Sequence, residues 1–269
     1  MIGLCTDSNS QLPPVLAERF GIEVVPLTVI ADDQEYLEGV DLDADGFYDL
    51  FTPEHSPDVT FGVPSPGQFA AAYDDLAAKG CTQILSVHTS AAVEGTLNAA
   101  RLAAKTAPIP VRLIDPGIAR VGVSCCVWAM ADALADGASV DEAAAIAESL
   151  APTIRNVYVV GGLKVIGDVV LDGDGISILS LEGEAPARLG RVHSASEAIR
   201  VMLDYTLSSG GRVKVAVGAA HRDCLPIADA LAARVSGAAD VVEAVRFRIG
   251  PSVGAETGPG TVGCVFYPA

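Results

Sequence analysis

The sequence predicts an α/β fold, built as two α/β domains with mainly parallel sheets. Three observations carry this. Short apolar runs alternate with helical patterns along the whole chain, the mark of strand–helix–strand units. At 269 residues the chain exceeds the ~150 of one ordinary domain. Half of the residues are hydrophobic but only 5% are aromatic, so aliphatic side chains and alanine must fill the cores.

Strands are expected at Ile2–Cys5, Val24–Ile30, Ile84–Val87, Val111–Ile114, Val157–Val160, Ile176–Leu181, Val213–Val217, Val241–Phe247 and Val262–Phe266. Pro14–Phe20 reads as a helix with proline at its start and Gly21 as its stop, the usual asymmetry of helix ends. Ser65-Pro66-Gly67-Gln68 is a capping box that opens a helix to Lys79, closed by Gly80. Glu94–Lys105 is alanine-rich and helical, and Ile118–Ala135 is a long apolar helix ended by Asp136-Gly137. Ser139 with Glu142, and Ser194 with Glu197, cap two further helices, and Asp223–Val235 is the last. Pro152–Asn156 separates a helix from a new strand, which divides the chain into domains 1–153 and 154–269. Asp172-Gly173-Asp174-Gly175 has the composition of a hairpin tip.

Charge excludes several function classes. Seventeen Lys and Arg against 34 Asp and Glu give a net charge of −17 and a pI near 4.4. Such a chain repels phosphate backbones and anionic lipid surfaces, so neither a nucleic-acid partner nor a polybasic membrane anchor is expected. Mean hydropathy is +0.40, yet no apolar run reaches the ~18 residues of a membrane span. The most apolar stretch, Val121–Ala135, carries Asp132 and reads as a buried helix. The N-terminus has no basic region and meets Asp7 at once, unlike a signal peptide. Six cysteines, none in a CxxC pair, sit mostly in apolar runs, as expected of reduced, buried thiols in a cytoplasmic protein.

Several motifs resemble chemistry without its context. Asp41-Leu42-Asp43-Ala44-Asp45-Gly46 matches half of a calcium loop, but Thr52 stands where the bidentate Glu is needed; Asp43 reads better as a helix N-cap before Phe47. Gly258-Pro259-Gly260-Thr261-Val262-Gly263 satisfies GxGxxG but leads into an apolar run at the chain's end, and a dinucleotide site needs a helix there. No cofactor and no metal are expected. The four histidines lie far apart; His88 and His221 flank strands and read as polar residues finishing them.

One combination is specific. It comprises Thr6-Asp7-Ser8 with Leu12-Pro13, Val25-Pro26-Leu27, Tyr36 and Gly39, and Pro64-Ser65-Pro66-Gly67-Gln68-Phe69. It continues with Gly95-Thr96, Asp115 with Gly122, Ile249-Gly250-Pro251, and Gly254-Ala255-Glu256-Thr257-Gly258-Pro259-Gly260. In this order and spacing the chain resembles the DegV family of bacterial fatty-acid-binding proteins from end to end. The resemblance implies two α/β domains with a long acyl chain buried at their junction and no chemistry of the protein's own. It also implies a partner, a fatty acid kinase subunit to which the carboxylate is presented. Burial at roughly 0.8 kcal/mol per CH₂ gives a long acyl chain on the order of 10 kcal/mol before the costs of binding.

The resemblance places the head group against Phe61, Gly62, Glu94, Gly95, Thr96 and Glu256. Here the chain departs from the family pattern. Phe61-Gly62-Val63 replaces Thr-Ser-Gln, Glu94 replaces the Ser of Ser-Gly-Thr, and Glu256 replaces a His. The family's basic Gly-Gly-Arg segment is also missing, with no arginine between Leu163 and Leu181. Two carboxylates about 4 Å apart repel by roughly 4 kcal/mol at an effective dielectric of 20, so a fatty acid anion between two glutamates needs compensation. Either a carboxyl carries a proton, or the ligand head is a donor such as an alcohol or amide, or the pocket is altered. A different class of function uses Glu94 and Glu256 as the acid–base pair of a hydrolase or transferase, although no nucleophile motif accompanies them.

Overall fold

A computed structural model describes residues 1–52, 54–90, 95–160, 175–182 and 185–269. In chain order its elements are β1 (Ile2–Asp7), α1 (Pro14–Phe20), β2 (Glu23–Val25), β3 (Thr28–Ala31), β4 (Gln34–Leu37), α2 (Ala44–Asp49), β5 (Val59–Gly62), α3 (Pro66–Ala78), β6 (Gln83–Val87), α4 (Thr96–Ala104) and β7 (Val111–Ile114). There follow α5 (Val121–Ala135), α6 (Val140–Leu150), β8 (Arg155–Val159), β9 (Ile176–Glu182), β10 (Ala185–Val192), α7 (Ala195–Leu207), β11 (Val213–Ala219), α8 (Leu225–Ser236), β12 (Val241–Arg248), α9 (Pro251–Thr257) and β13 (Val262–Pro268). They form two compact units, residues 1–42 with 57–152 and residues 43–56 with 153–269.

The first unit is built on a parallel sheet in the order β2-β1-β6-β7. Helices α3 and α4 cover one face, where Phe69, Tyr73, Leu76 and Ala100 meet Cys5, Val25 and Ile84. The apolar α5 packs on α6 and on β6, burying Val123, Cys125, Cys126 and Trp128. Both predicted capping boxes of this unit form. Ser65 Oγ accepts from the Gln68 amide, and Ser139 Oγ from that of Glu142, each at 3.3 Å. Val24–Ile30 is not one strand. Pro26, which has no N–H to give a ladder, separates β2 from β3, and β3 joins a small antiparallel sheet in the order β4-β3-β5. Likewise α5 begins at Val121 rather than Ile118, because Arg120 at its N-cap has φ 57°, a backbone conformation no helix contains.

The second unit carries a six-stranded sheet in the order β10-β9-β8-β13-β11-β12. Here parallel pairing is the exception: β11 and β12 run parallel, while the other four pairings are antiparallel. For β9 and β10 the physical reason is connection length: the two residues between Glu182 and Ala185 leave no room for the crossover that parallel neighbours require. The edge strand β10 was not legible as a strand, because Pro186 and the irregularity at Arg188/Gly190 interrupt its pattern; both are tolerated at an edge. The expected hairpin tip at Asp172–Asp174 lies outside the described residues. Helices α7 and α8 cover a core of Val157, Ile178, Met202, Val215, Leu231 and Phe266. Helix α2 belongs to this unit although its sequence neighbours belong to the other. Phe47 and Tyr48 are buried, and the Tyr48 hydroxyl donates to the Ile249 carbonyl at 2.9 Å.

Candidate functional site

The carboxyl ends of parallel strands are where open α/β sheets receive ligands. In the first unit those ends are unusually polar. Thr6 and Asp7 end β1 and Asn9, Ser10 and Gln11 continue it through a short 3-10 turn, while Ser86 lies near the end of β6 and His88, Thr89 and Ser90 follow it, and all are buried. Buried polar groups must be hydrogen-bonded, and these are. Residues 86 and 88 lie two apart and so face the same side of β6. Ser86 Oγ is 2.6 Å from His88 Nε2, His88 Nδ1 is 2.8 Å from Asp7 Oδ2, and the Tyr73 hydroxyl is 2.9 Å from Ser86 Oγ. The other oxygen of Asp7 accepts from the Asn9 amide at 3.1 Å. The Asn9 side-chain oxygen in turn accepts from the Thr89 hydroxyl at 3.0 Å and from the Arg120 amide at 3.2 Å. A second set joins Ser8 Oγ to the Glu38 carboxylate at 2.5 Å, and the Leu27 amide donates to Ser8 Oγ at 2.9 Å.

Asp7, His88 and Ser86 thus stand in the order acid–imidazole–hydroxyl of a nucleophilic triad. The arrangement does not act as one here. Ser86 and His88 are fully buried, Tyr73 occupies the hydroxyl, and the Phe69 ring stands edge-on to His88 with centroids 4.9 Å apart. A carbonyl substrate has no approach to Ser86 Oγ. Sequence reasoning placed His88 at a strand end but missed its partners. The signal it could have used is Ser86 and His88 two residues apart in an otherwise apolar strand.

The site residues expected from sequence are placed as follows. Phe61 and Gly62 end β5, opposite Val29 and Thr28 of β3. Phe61 is 38% exposed and Val63 43%, an apolar pair presented rather than packed. Gly95 is the N-cap of α4 and offers no side-chain cap. A Cβ built on it would lie 3.9 Å from Val63, so the end of β5 and the start of α4 are neighbours. Thr96 is fully buried. Glu94 lies outside the described residues. Glu256 is exposed on the short helix α9 of the second unit.

Elsewhere the acidic motifs serve structure. Asp43 caps α2 by accepting from the Gly46 amide at 2.7 Å. Asp45 pairs with Arg248 and Asp49 with Arg222, and hydrogen bonds from these guanidiniums hold both carboxyls below the usual carboxylate range. A shallow depression of about 220 Å³ beside the β3–β4 turn is lined by Asp32, Asp33 and Asp58, a lining that disfavours an anion. The GxGxxG-like stretch leads into β13 and no helix. All six cysteines are free and buried; burial pushes Cys126 and Cys264 up to about 12, far from a reactive thiolate. Among the described residues no three His, Cys, Asp or Glu are grouped to hold a metal ion, and no helix is long and apolar enough to cross a membrane.

Comparison with known proteins follows the same lines. The family model described as "Uncharacterised protein, DegV family" matches residues 1–166. A DegV domain-containing protein of Streptomyces coelicolor is 33% identical over 279 residues, covering 98% of this chain and 97% of its own. A solved structure of a DegV family protein from Thermus thermophilus, described by its fatty acid binding, superposes with a TM-score of 0.79 at 26% identity. It covers 100% of this chain and 99% of its own. DegV of Bacillus subtilis, described as a fatty acid binding protein, superposes with a TM-score of 0.75 at 22% identity, covering 100% and 99%; at that identity the likeness speaks to the fold alone.

Proposed function

Because the chain belongs to the DegV family, we propose that it binds a fatty acid or a related long-chain amphiphile and performs no chemistry of its own. The observation that carries this is the end-to-end likeness to the T. thermophilus protein described by its fatty acid binding. The first unit supports it. Phe61 and Val63 are exposed, and Val63 stands beside Gly95, offering apolar surface next to the start of a helix, whose positive dipole end favours an anionic head. Phe61, Gly62, Glu94, Gly95, Thr96 and Glu256 are the proposed ligand residues. Two domains, 1–153 and 154–269, and a cytoplasmic location belong to the same reading.

The test is a titration of delipidated protein with oleate, alongside native mass spectrometry of protein purified from its own cells. Saturable uptake of one acyl chain is expected; absence of both heat and co-purified lipid would overturn the reading. Replacing Glu94→Ser and Glu256→His restores two of the family's donors, leaving Phe61 in place, and removes two like charges, so oleate binding should tighten. Unchanged affinity would remove those two residues from the head-group site. Because phosphoryl transfer needs donors or positive charge at the transferring group, the wild-type protein should be a poor acceptor for a fatty acid kinase subunit, read as acyl phosphate formed with ATP.

A further inference from the structure

Among the polar residues that follow β1 and β6, one atom joins two connections. The Asn9 side-chain oxygen accepts from Thr89, in the connection from β6 to α4, and from Arg120, in the connection from β7 to α5. These two connections also meet directly, as the Ser90 amide donates to the Ile118 carbonyl at 3.2 Å. Arg120 is held at φ 57° and ψ −141°, a conformation that a residue with a Cβ keeps only when its surroundings over-determine it. Asn9 is part of that constraint, and Asn9 is itself oriented by Asp7.

What fixes Asp7 lies deeper. A buried carboxylate swings unless both oxygens are engaged, and here one takes the Asn9 amide and the other His88 Nδ1. A carboxylate only accepts, so His88 Nδ1 turns an N–H toward Asp7. Nε2 is within hydrogen-bond distance of Ser86 Oγ, and Ser86 Oγ of the Tyr73 hydroxyl, so the four side chains form one continuous chain. Tyr73 comes from α3, Ser86 and His88 from β6, and Asp7 from β1. The chain therefore ties a helix and two central strands to the Asn9 pivot, which holds Thr89 and Arg120.

We propose that His88 is a positioning residue for ligand binding: through Asp7 and Asn9 it clamps Thr89–Ser90 after β6 against Ile118–Arg120 after β7, and so shapes the carboxyl ends of the parallel strands, where an open α/β sheet receives its ligand. This rests on the fatty-acid reading above. It assigns the triad-like geometry to orientation rather than to nucleophilic attack.

The experiment compares full-length wild type, His88→Leu, His88→Asn and Asn9→Ala by oleate titration and by amide hydrogen exchange of the ligand-free protein. His88→Asn keeps a donor close to the Nδ1 position; His88→Leu keeps only bulk; Asn9→Ala cuts the clamp and leaves the buried pair intact. His88→Leu, which removes a hydrogen bond to the Asp7 carboxylate, and Asn9→Ala, which removes two neutral ones, should each weaken oleate binding roughly tenfold. Both should speed exchange at the Ser90 and Arg120 amides, and His88→Asn should restore both readouts toward wild type. Should His88→Leu fail to fold, Asn9→Ala alone decides. Unchanged exchange at Ser90 and Arg120 in Asn9→Ala, or no rescue by His88→Asn over His88→Leu, would overturn the clamp. Faster exchange throughout β1 and β6 instead would mark a general loss of stability and overturn it equally. If wild-type protein takes up no oleate, the binding reading falls and the ligand-positioning role with it, while exchange still decides whether His88 holds the two connections.

Discussion

The two units bury very different interiors. Of the sixteen buried polar side chains among the described residues, twelve lie in the first unit, including Asp7, Glu38 and His88; the second unit has only Ser180, Thr206, Ser252 and Thr261, none of them charged. The second unit keeps its charges on the surface, where Asp45, Asp49, Arg222 and Arg248 fasten α2. Burying a polar group costs free energy unless its partners are supplied, so an apolar interior is the cheaper way to hold a sheet. The first unit accepts that cost at the carboxyl ends of its parallel strands, where a ligand would be received. The contrast teaches that a sheet's interior can be polar where every buried group is given a partner, as at Asp7 and His88.

The largest effect should come from breaking the polar interior. Asp7→Ala orphans the His88 Nδ1 and Asn9 N–H donors, at about 1–3 kcal/mol each. Roughly 2–5 kcal/mol of destabilisation is expected in urea unfolding. Trp128, the single tryptophan, is buried in this unit, so its fluorescence reads the effect where it arises. A loss below about 1 kcal/mol would mean that the network is solvated and the contrast between the units is weaker than drawn.

Breaking the apolar interior should cost less. Gly263 of β13 sits so close to β8 that an added Cβ would lie 2.5 Å from the Val157 carbonyl oxygen and from Tyr158 Cβ. Backbone cannot step aside as a flexible side chain can. Gly263→Ala should cost about 1–3 kcal/mol, as overpacking does, seen in the far-ultraviolet dichroism transition. Thr206→Val sharpens the point. The Thr206 hydroxyl donates to the Met202 carbonyl of its own helix, a bond that the helix does not need. A loss under about 1 kcal/mol is expected there, well short of that for Asp7→Ala, since the one other partner it strands is the Cys264 thiol, a weak donor.

Much of this architecture could be read from the chain because it is written locally. The capping boxes at Ser65 and Ser139, the Asp43 cap and the apolar α5 follow from spacing of three or four residues, and the structure has each of them. The family resemblance rests on motifs spread over the whole length, which no periodicity would reveal. What could not be read is long-range. Asp7 and His88 are 81 residues apart and Asn9 and Arg120 are 111 apart, and no pattern along the sequence announces that they meet. The antiparallel pairing of β13 between β8 and β11 is equally a property of the sheet, not of the apolar run that forms it. At the candidate site, Phe61 and Gly95 are singled out by position in a family pattern, and the contact of Val63 with Gly95 is a fact of the fold alone.

The smallest expected effect tests the surface side of the comparison. Asp45 is bonded by the Arg248 guanidinium and accepts the Arg222 amide at 2.9 Å, and its carboxyl is held below its ordinary range chiefly by the Arg248 hydrogen bond. A carboxyl depressed in the folded state contributes stability that is fully present above its unfolded pKa of about 3.9. That contribution is lost as pH falls through the lower, folded value. The pair is partly exposed, and water and salt screen it, so Asp45→Asn should cost only about 0.5–1 kcal/mol at neutral pH. The difference between wild type and variant should persist down to about pH 4 and close below it, and it should shrink when salt is raised. A wild-type-minus-variant gap that instead widens on acidification would reverse the assigned sign. A gap of several kcal/mol would mean that the docking of α2 is carried by a desolvated charge, and that the second unit's apolar interior is not what holds it.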